Sequence, residues 1–387
     1  MPDEEAWGVG SREKEMEKEI EKLSDLPEDV KEAAVLAGIN PDEQERSGSF
    51  FQQDQSILCA KSTQPGVEVL DTESALKKYD WLKDYSWRAV DPQKDEFTKA
   101  VYEERTPRGY FMRSLPGQET IFPLQACLYL GKEGMAQKVH NIIIAEEGSH
   151  LHIITGCTVD THIKGGMHLG ISEFYVKKNA SITFTMVHNW AEGVEVRPRS
   201  VAHVEEGGVF INNYICLKPV KLLQLYPTVH LLGKNSRTVS NSIVLGKKDS
   251  VIDIGFRAVL KAPGAGAENI ARAVARDNAK IYARGHMVGE VPDIKAHIEC
   301  RGLVLSPTAL IHAIPELEAK QENLEMSHEA AVGKIAEKEI LYLMSRGLSA
   351  DEATAAIIHG FLKVDLAGLP DKLKKEVDNL MEMELSI

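Results

Sequence analysis

Short apolar segments with alternating or β-branched residues dominate the chain after about Thr120. HNIIIA, HLHIITG, SITFTMV and SVIDIGFRAVL are examples, and the two-residue period is typical of β-strands. Charged or glycyl turns recur between them, and the first four are about 30 residues apart, at 146–149, 177–180, 205–208 and 233–236, with a fifth at 246–249. The pattern predicts stacked β-rungs, as in a β-helix or solenoid, and a sandwich of short strands is the alternative.

The N-terminal part of the chain has a helical pattern. Residues 12–39 are rich in Glu and Lys, and apolar residues such as Leu23 and Val30 recur at roughly helical spacing, with a break at Pro27. Aromatic residues at 79–87 indicate a further short helix. We therefore expect a helical and mixed region over residues 1–119, followed by the β core over residues 120–325.

The C-terminal part, residues 326–387, is predicted to be helical. EKEILYLMSRGLSADEATAAIIHGFLKV indicates two helices joined at Gly347, and the second begins with a capping box of Ser349 and Glu352. A third amphipathic helix is expected at 371–385. The apolar stripes of these helices either pack on each other or receive a partner protein. The residues that we expect to contact such a partner are Ile340, Leu343, Ile357 and Phe361.

Composition narrows the class of protein. The 387 residues carry a formal net charge of −13, which argues against nucleic acid or an anionic membrane as the main partner. The first residues are acidic, without the pattern of an export signal, and no stretch approaches the ~20 apolar residues of a membrane-spanning helix. Five cysteines at wide spacing fit neither a disulfide framework nor a zinc site. A soluble cytoplasmic protein with free thiols is expected.

Soft and borderline metal ligands are the remaining candidates for chemistry. The sequence has no phosphate-binding loop, so ATP hydrolysis by this chain is not expected and a non-catalytic role is favoured. His297, Glu299 and Cys300 alternate in the predicted strand KAHIECRGLVL, which places Cys300 on the inward face and the other two on the opposite face. His328 and Glu329 form an imidazole–carboxylate pair at the expected start of the C-terminal helices.

Several of these motifs resemble the SufB/SufD family of iron–sulfur cluster assembly scaffolds. They include GCT at 156–158, the run SEFYVKKNASITFTMVHNW, FRAVLK at 256–261, and the stretch from Cys300 through SHEA at 327–330 into EKEILYLMSRGLSADEATAAIIHGF. The resemblance covers about residues 120–365, and the segment from Ser327 to Phe361 is its most specific part.

The resemblance implies a right-handed parallel β-helix with α-helical N-terminal and C-terminal regions. It also implies a cluster scaffold, with [4Fe-4S] as the expected cluster, that works beside the ABC-type ATPase SufC and pairs with a second copy of itself or with a SufD-like subunit. Cys300, His328 and Glu329 match the cluster-assembly residues of SufB-like members. A carboxylate directly after the histidine, Glu329, favours the SufB side of the family.

One position departs from the SufB pattern. The second core cysteine of that pattern is expected in the strand before the turn at 205–208, where this chain has His203. Cys216 and Glu205 are the candidates to replace it as thiolate and oxygen ligands.

Two other functions are alternatives. A SufD-like structural subunit would dock the ATPase without holding a cluster. A β-helix enzyme with a mononuclear metal would use His140, His150 and His152, which are close in sequence.

Overall fold

A computed structural model describes residues 19–363 together with Lys375 and Asn379. The predicted helix at 371–385 and residues 12–18 of the N-terminal helical region therefore lie largely outside the described residues. The strands of the described part are β1 (Gly48–Gln53), β2 (Ser56–Ser62), β3 (Val67–Asp71), β4 (Tyr110–Ser114), β5 (Leu124–Leu130), β6 (Ala136–Ala145), β7 (His150–Val159), β8 (Gly165–Val176), β9 (Ser181–Asn189), β10 (Gly193–Val196), β11 (Arg199–Val204), β12 (Val209–Cys216), β13 (Leu222–Leu225), β14 (Thr228–Leu231), β15 (Arg237–Gly246), β16 (Val251–Leu260), β17 (Gly266–Ala275), β18 (Lys280–Gly289), β19 (Ile294–Val304), β20 (Leu310–Ala319) and β21 (Leu324–Gly333).

Helices occur on either side of this β region and within its first part. The α-helices are α1 (Glu28–Val35), α2 (Thr72–Lys78), α3 (Glu96–Tyr102), α4 (Glu337–Met344) and α5 (Ala350–Leu362). Short 3₁₀ helices span Leu23–Asp25 and Asp80–Asp84, so the break at Pro27 and the aromatic helix are both present.

The strands form two long sheets that make a β-solenoid of about eight turns. Sheet A has the order β2-β1-β5-β7-β9-β12-β15-β17-β19-β21, and sheet B contains β3, β4, β6, β8, β10, β11, β13, β14, β16, β18 and β20. Successive long strands alternate between the two sheets, and all pairings from β4–β6 and β5–β7 onward are parallel. The predicted solenoid is confirmed, and the sandwich alternative is wrong.

A stacked column of tight turns explains the repeated motif in the sequence. Gly148, Asn179, Gly207, Asn235 and Gly264 all have φ between 54° and 74°, the left-handed region that Gly and Asn tolerate best. Each amide in the column donates to a carbonyl of the next turn, as Gly207 N does to the carbonyl of Lys234 at 2.8 Å. A Cβ at Gly207 would lie 2.3 Å from the side-chain oxygen of Asn179, so a larger residue there would have to displace the Asn179 side chain.

Apolar side chains fill the interior of the solenoid because alternate residues of each strand point inward. In β16, Ile252, Ile254 and Phe256 are buried while the residues between them are half-exposed. Large aromatic side chains such as Tyr110 and Phe174 are among the buried residues of this core. The interior therefore forms one continuous apolar cluster from the first coil to the last.

Helices cover apolar surface on the outer faces of the sheets. Ile358 and Leu362 of α5 are buried on the outer face of sheet A, against residues that include Ile215, Ile243 and Leu245. A separate cluster at the N-terminal end joins α1 to the outer face of β1 and β5.

The strands extend beyond the predicted β core at both ends. Within residues 1–119, β1 and β4 pair in parallel with β5 and β6, so this region supplies the first strands of both sheets. The boundary predicted after residue 325 falls inside β21, and the helical pair begins only at Glu337.

Candidate functional site

The final coil of the described solenoid carries the predicted pair Cys300 and His328. In the parallel pairing of β19 with β21, Cys300 is opposite Ala330, and Ile298 is opposite His328. Paired residues of a parallel sheet point to the same face, so His328 shares the inward face with Ile298 and Cys300. Cys300 is 2% exposed, whereas His328 is exposed because sheet A ends at β21 within the described residues.

Glu329 lies on the opposite face of β21 from His328. The expectation that this pair sits at the start of the C-terminal helices is wrong, because both residues are within a strand and adjacent strand residues point to opposite sides. Glu329 accepts a hydrogen bond from the Arg301 guanidinium at 3.0 Å. It therefore belongs to the outer surface of sheet A in this structure.

An alternating row of charges crosses that outer surface. Glu299 contacts the guanidinium groups of Arg272 at 2.5 Å and Arg301 at 2.9 Å, and Arg301 continues the row to Glu329. His297, two residues before Glu299, lies 2.9 Å from the Ser327 hydroxyl. The prediction that His297 and Glu299 face away from Cys300 is confirmed by the burial of these strands.

Cys300 is a neutral thiol at neutral pH. Burial raises its pKa to about 11; the nearby Arg272 opposes this rise and Glu299 adds to it. Because the thiolate is both the nucleophile and the metal ligand, the resting arrangement keeps Cys300 unreactive. Chemistry at this residue requires that the final coil expose or deprotonate it.

The structure does not bring Cys216 or Glu205 to the final coil. Cys216 is buried on β12, three strands from β19 in sheet A, which is roughly 14 Å at the usual strand spacing. Glu205 lies in the turn after β11 and is held by the Lys177 ammonium at 3.0 Å. These two candidates and the Cys300–His328 pair are separate places in the fold.

A buried row inside the solenoid was missed from the sequence. Cys157, His188 and Cys216 are directly in register on β7, β9 and β12. The hydroxyl of Tyr214 lies 2.7 Å from His188 Nδ1, and the Nε2 atom has no partner among the described residues. Strand register is the signal that would reveal this row, and periodicity alone does not supply register.

Burial controls the charge states in this row. It raises the pKa of the Cys216 thiol to about 12 and raises that of Cys157 still further. The pKa of His188 is held well below its ordinary value by burial and by the neighbouring His168. The row is therefore uncharged at neutral pH.

The three histidines of the mononuclear-metal alternative are not gathered. His140 is buried on β6 and lies 2.8 Å from the Glu173 carboxylate, while His150 and His152 are on β7 in the other sheet. Across residues 19–363, no group of three or more His, Cys, Asp or Glu side chains is placed to hold a metal ion. The geometry gives this alternative no support.

The C-terminal helices divide into an anchored helix and an exposed one. Phe361, one of the predicted partner contacts, is partly buried with Ile358 and Leu362 on the solenoid. Ile340, Leu343 and Ile357 are half-buried. The most exposed large apolar side chains here are on α4: Leu341 at 55%, Tyr342 at 59% and Met344 at 40%.

No helix of the described part is long and apolar enough to span a membrane.

Comparisons with known proteins agree on one family. The family model described as "SUF system FeS cluster assembly, SufBD core domain" matches residues 128–361. An iron-sulfur cluster assembly SufBD family protein of Methanothermobacter thermautotrophicus is 50% identical over 370 residues, covering 95% of this chain and 90% of the relative. One from Archaeoglobus fulgidus is 50% identical over 353 residues, covering 91% and 94%, and one from Pyrococcus horikoshii is 33% identical over 373 residues, covering 95% and 83%.

Proposed function

This chain belongs to the SufBD family of iron–sulfur cluster assembly proteins, and from that premise we propose that it is a scaffold subunit that builds and holds a nascent cluster. The observation that carries the proposal is the shared face of Cys300 and His328 at the end of the solenoid. A cysteine thiolate and an imidazole are both iron ligands, and the mixed set binds iron less tightly than four thiolates. Such a site suits a cluster that must be passed on.

A second copy would complete the ligand set. One chain offers one thiol and one imidazole at this end, while a cluster normally takes four ligands. A two-fold dimer through the final coils would bring two Cys300 and two His328 side chains together. In support, β20 and β21 are edge strands with no further strand partner among the described residues, and unpaired edges readily add another strand.

The partner ATPase is proposed to dock on α4. Leu341, Tyr342 and Met344 provide an exposed apolar surface, whereas α5 is anchored to the solenoid. In this proposal ATP hydrolysis takes place in a cytoplasmic SufC-like subunit and this chain is non-catalytic. The cluster, proposed as [4Fe-4S], is the cargo of the complex.

Anaerobic reconstitution with iron and sulfide tests the scaffold proposal. Wild type, Cys300→Ala and His328→Ala would be compared by visible absorption and by iron and sulfide content, with Cys59→Ala as a matched control because Cys59 is also buried and far along the chain. We expect Cys59→Ala to load normally, Cys300→Ala to lose the cluster and His328→Ala to load less. Equal loading of all four proteins would refute the assignment of Cys300.

A structural subunit is the second candidate. The observation that favours it is the orientation of Glu329, which is held by Arg301 on the face opposite Cys300 and would have to leave that contact before it could bind iron. Wild-type protein that binds the ATPase but takes up no iron or sulfide would establish this role instead.

A pull-down with a SufC-like ATPase tests the docking surface. Leu341→Ser should weaken the complex, and Val35→Ser, which changes an equally exposed apolar residue at 50% exposure on α1, should not. If Leu341→Ser bound as well as wild type, α4 would not be the docking helix.

A further inference from the structure

A pair of imidazoles lies on the outer face of sheet B, away from the final coil. His203 of β11 and His230 of β14 are direct partners in the parallel register, and their ring centroids are 5.5 Å apart. Val259 of β16 is the next residue in this row. The two rings form a half-buried shelf on the middle coils of the solenoid.

Two cations flank this shelf because of strand alternation. Arg257 and Lys261 are two residues before and two residues after Val259, so their side chains point to the same outer face. The Lys261 amide donates to the Leu231 carbonyl at 3.0 Å, which continues the β14–β16 pairing to this position. Both side chains therefore stand diagonally beside His230.

A third cation stands on the opposite side of the shelf. The ring of Tyr175 contacts His203, with centroids 5.8 Å apart, and it contacts Tyr85 at 4.9 Å. The Tyr175 hydroxyl also donates to the Tyr85 carbonyl at 2.6 Å. Because Tyr85 is held in this way, the exposed Arg88, three residues later, is held near His203.

The three cations carry uncompensated positive charge. Among the described residues, Arg88, Arg257 and Lys261 form no ion pair with a carboxylate. Carboxylates near this surface already have other partners: Glu205 pairs with Lys177 at 3.0 Å and Glu290 with Lys320 at 3.2 Å, and the buried Glu173, which also acts on His203, lies 2.8 Å from His140. Such a patch is unusual on a chain with a net charge of −13.

The electrostatic field of the patch acts on both imidazoles. Burial and then Lys261, His203 and Arg257 lower the pKa of His230 to about 4. Burial also lowers the pKa of His203; Glu173 has the largest charge effect on this ring and opposes the lowering, while Arg88, Lys261 and Lys177 add to it. Both rings are neutral at neutral pH, so each can donate one hydrogen bond.

Two polar nitrogens of the patch have no hydrogen-bond partner within the described part of the chain. They are the buried Arg257 Nε, which is a donor, and the buried His230 Nδ1, which donates when it carries the proton of the neutral ring. An unsatisfied buried polar group costs about 1–3 kcal/mol, so an acceptor supplied from outside would be favoured.

We propose that this patch, formed by Arg88, His203, His230, Arg257 and Lys261, binds a phosphate-type oxyanion, either free or as the phosphate group of a small ester. A dianion with several acceptor oxygens matches three cations on the two sides of the imidazole pair and the N–H groups of the two rings, whereas a single carboxylate would leave positive charge unpaired. The site is independent of the proposed cluster site, because it lies on the outer face of sheet B and the cluster residues lie inside the final coil.

Titration calorimetry on the full chain tests this site. Inorganic phosphate and methyl phosphate would each be titrated at fixed pH, with sodium chloride keeping the ionic strength constant. We expect saturable binding with one anion per chain. Tighter binding of methyl phosphate would identify an ester as the ligand, and tighter binding of inorganic phosphate would identify the free anion.

Substitutions of exposed residues change anion binding without disturbing the folding of the chain. Lys261→Gln and Arg88→Gln should each weaken binding about tenfold, the usual effect of removing one charge-assisted hydrogen bond. Lys280→Gln is the matched control, because Lys280 is an exposed cation at the start of β18 in the same sheet but outside the patch. Absence of saturable binding of either anion in wild type, or equal weakening by Lys280→Gln and Lys261→Gln, would overturn the proposal.

Discussion

The reactivity of Cys300 gives the sharpest test of how the final coil is built. A thiol with a pKa of about 11 is ionised in about one molecule in 10,000 at pH 7, against about 3% for an ordinary cysteine with a pKa of about 8.5. Ionisation alone should therefore make alkylation of Cys300 about 300-fold slower than that of free cysteine. Burial, with 2% of the residue exposed, should slow the reaction further.

Timed alkylation with iodoacetamide, read by mass spectrometry of each cysteine, measures this directly. The rate at Cys300 should rise about tenfold for each pH unit between pH 7 and pH 10, because the thiolate fraction does. Cys59 is an internal reference, since burial also raises its pKa to about 11 and it is 5% exposed. A rate for Cys300 at pH 7 within tenfold of that of free cysteine would refute the picture of a buried neutral thiol.

Three further predictions concern stability, each measured as the free energy of unfolding in urea. Glu173→Gln should cost about 2–4 kcal/mol. The buried Glu173 carboxylate accepts a hydrogen bond from the backbone N–H of Trp87 at 2.6 Å, and the side-chain nitrogen of a glutamine at that position could not accept it. Burial alone would raise the pKa of Glu173, but its hydrogen bonds hold the pKa below the ordinary value. The contribution of Glu173 to the free energy of unfolding should therefore be complete above about pH 4.5, and it should fall as the pH decreases through the lower pKa of the folded state. Ile358→Ala should cost about 2–4 kcal/mol by opening a cavity under α5, while Leu341→Ala, at an exposed site, should stay within about 0.5 kcal/mol. Ser349→Ala should cost about 1 kcal/mol by removing the capping box at the start of α5.

The solenoid was predictable because its local signals agree. The third positions of the first four repeated turns are Gly148, Asn179, Gly207 and Asn235, and each adopts the left-handed backbone that these residues favour. Turn chemistry, spacing and strand period therefore all specify the same stacked coils. The capping box of Ser349 is also present as predicted.

The sequence did not determine which residues pair between strands, or on which face of a strand each side chain lies. The helical reading placed His328 and Glu329 side by side, whereas β21 places them on opposite faces. A residue has different spatial neighbours in a strand and in a helix, because the side-chain period is 2 in a strand and 3.6 in a helix. The same limitation hid the row of Cys157, His188 and Cys216, whose members are distant in sequence and meet only through pairing.

Tertiary packing decided which apolar residues of the C-terminal helices remain accessible. The sequence offered Ile357 and Phe361 as a stripe, but the helix is rotated so that Ile358 and Leu362 are the buried pair and Phe361 packs beside them. An amphipathic pattern shows that a helix has an apolar face without showing whether the chain itself or a partner covers it.

The final coil must open if the proposed scaffold is to work. Cys300 is covered by β21, which pairs only with β19 among the described residues, so displacement of this one strand would expose the thiol beside His328. On the outer face, the ion pair of Arg301 on β19 with Glu329 on β21 helps hold β21 in place, and an exposed pair of this kind is weak. Since only three residues separate Gly333 of β21 from α4, a partner that grips Leu341 and Tyr342 would act directly on that strand. The scaffold reading therefore predicts that ATPase binding accelerates alkylation of Cys300 and leaves Cys59 unchanged.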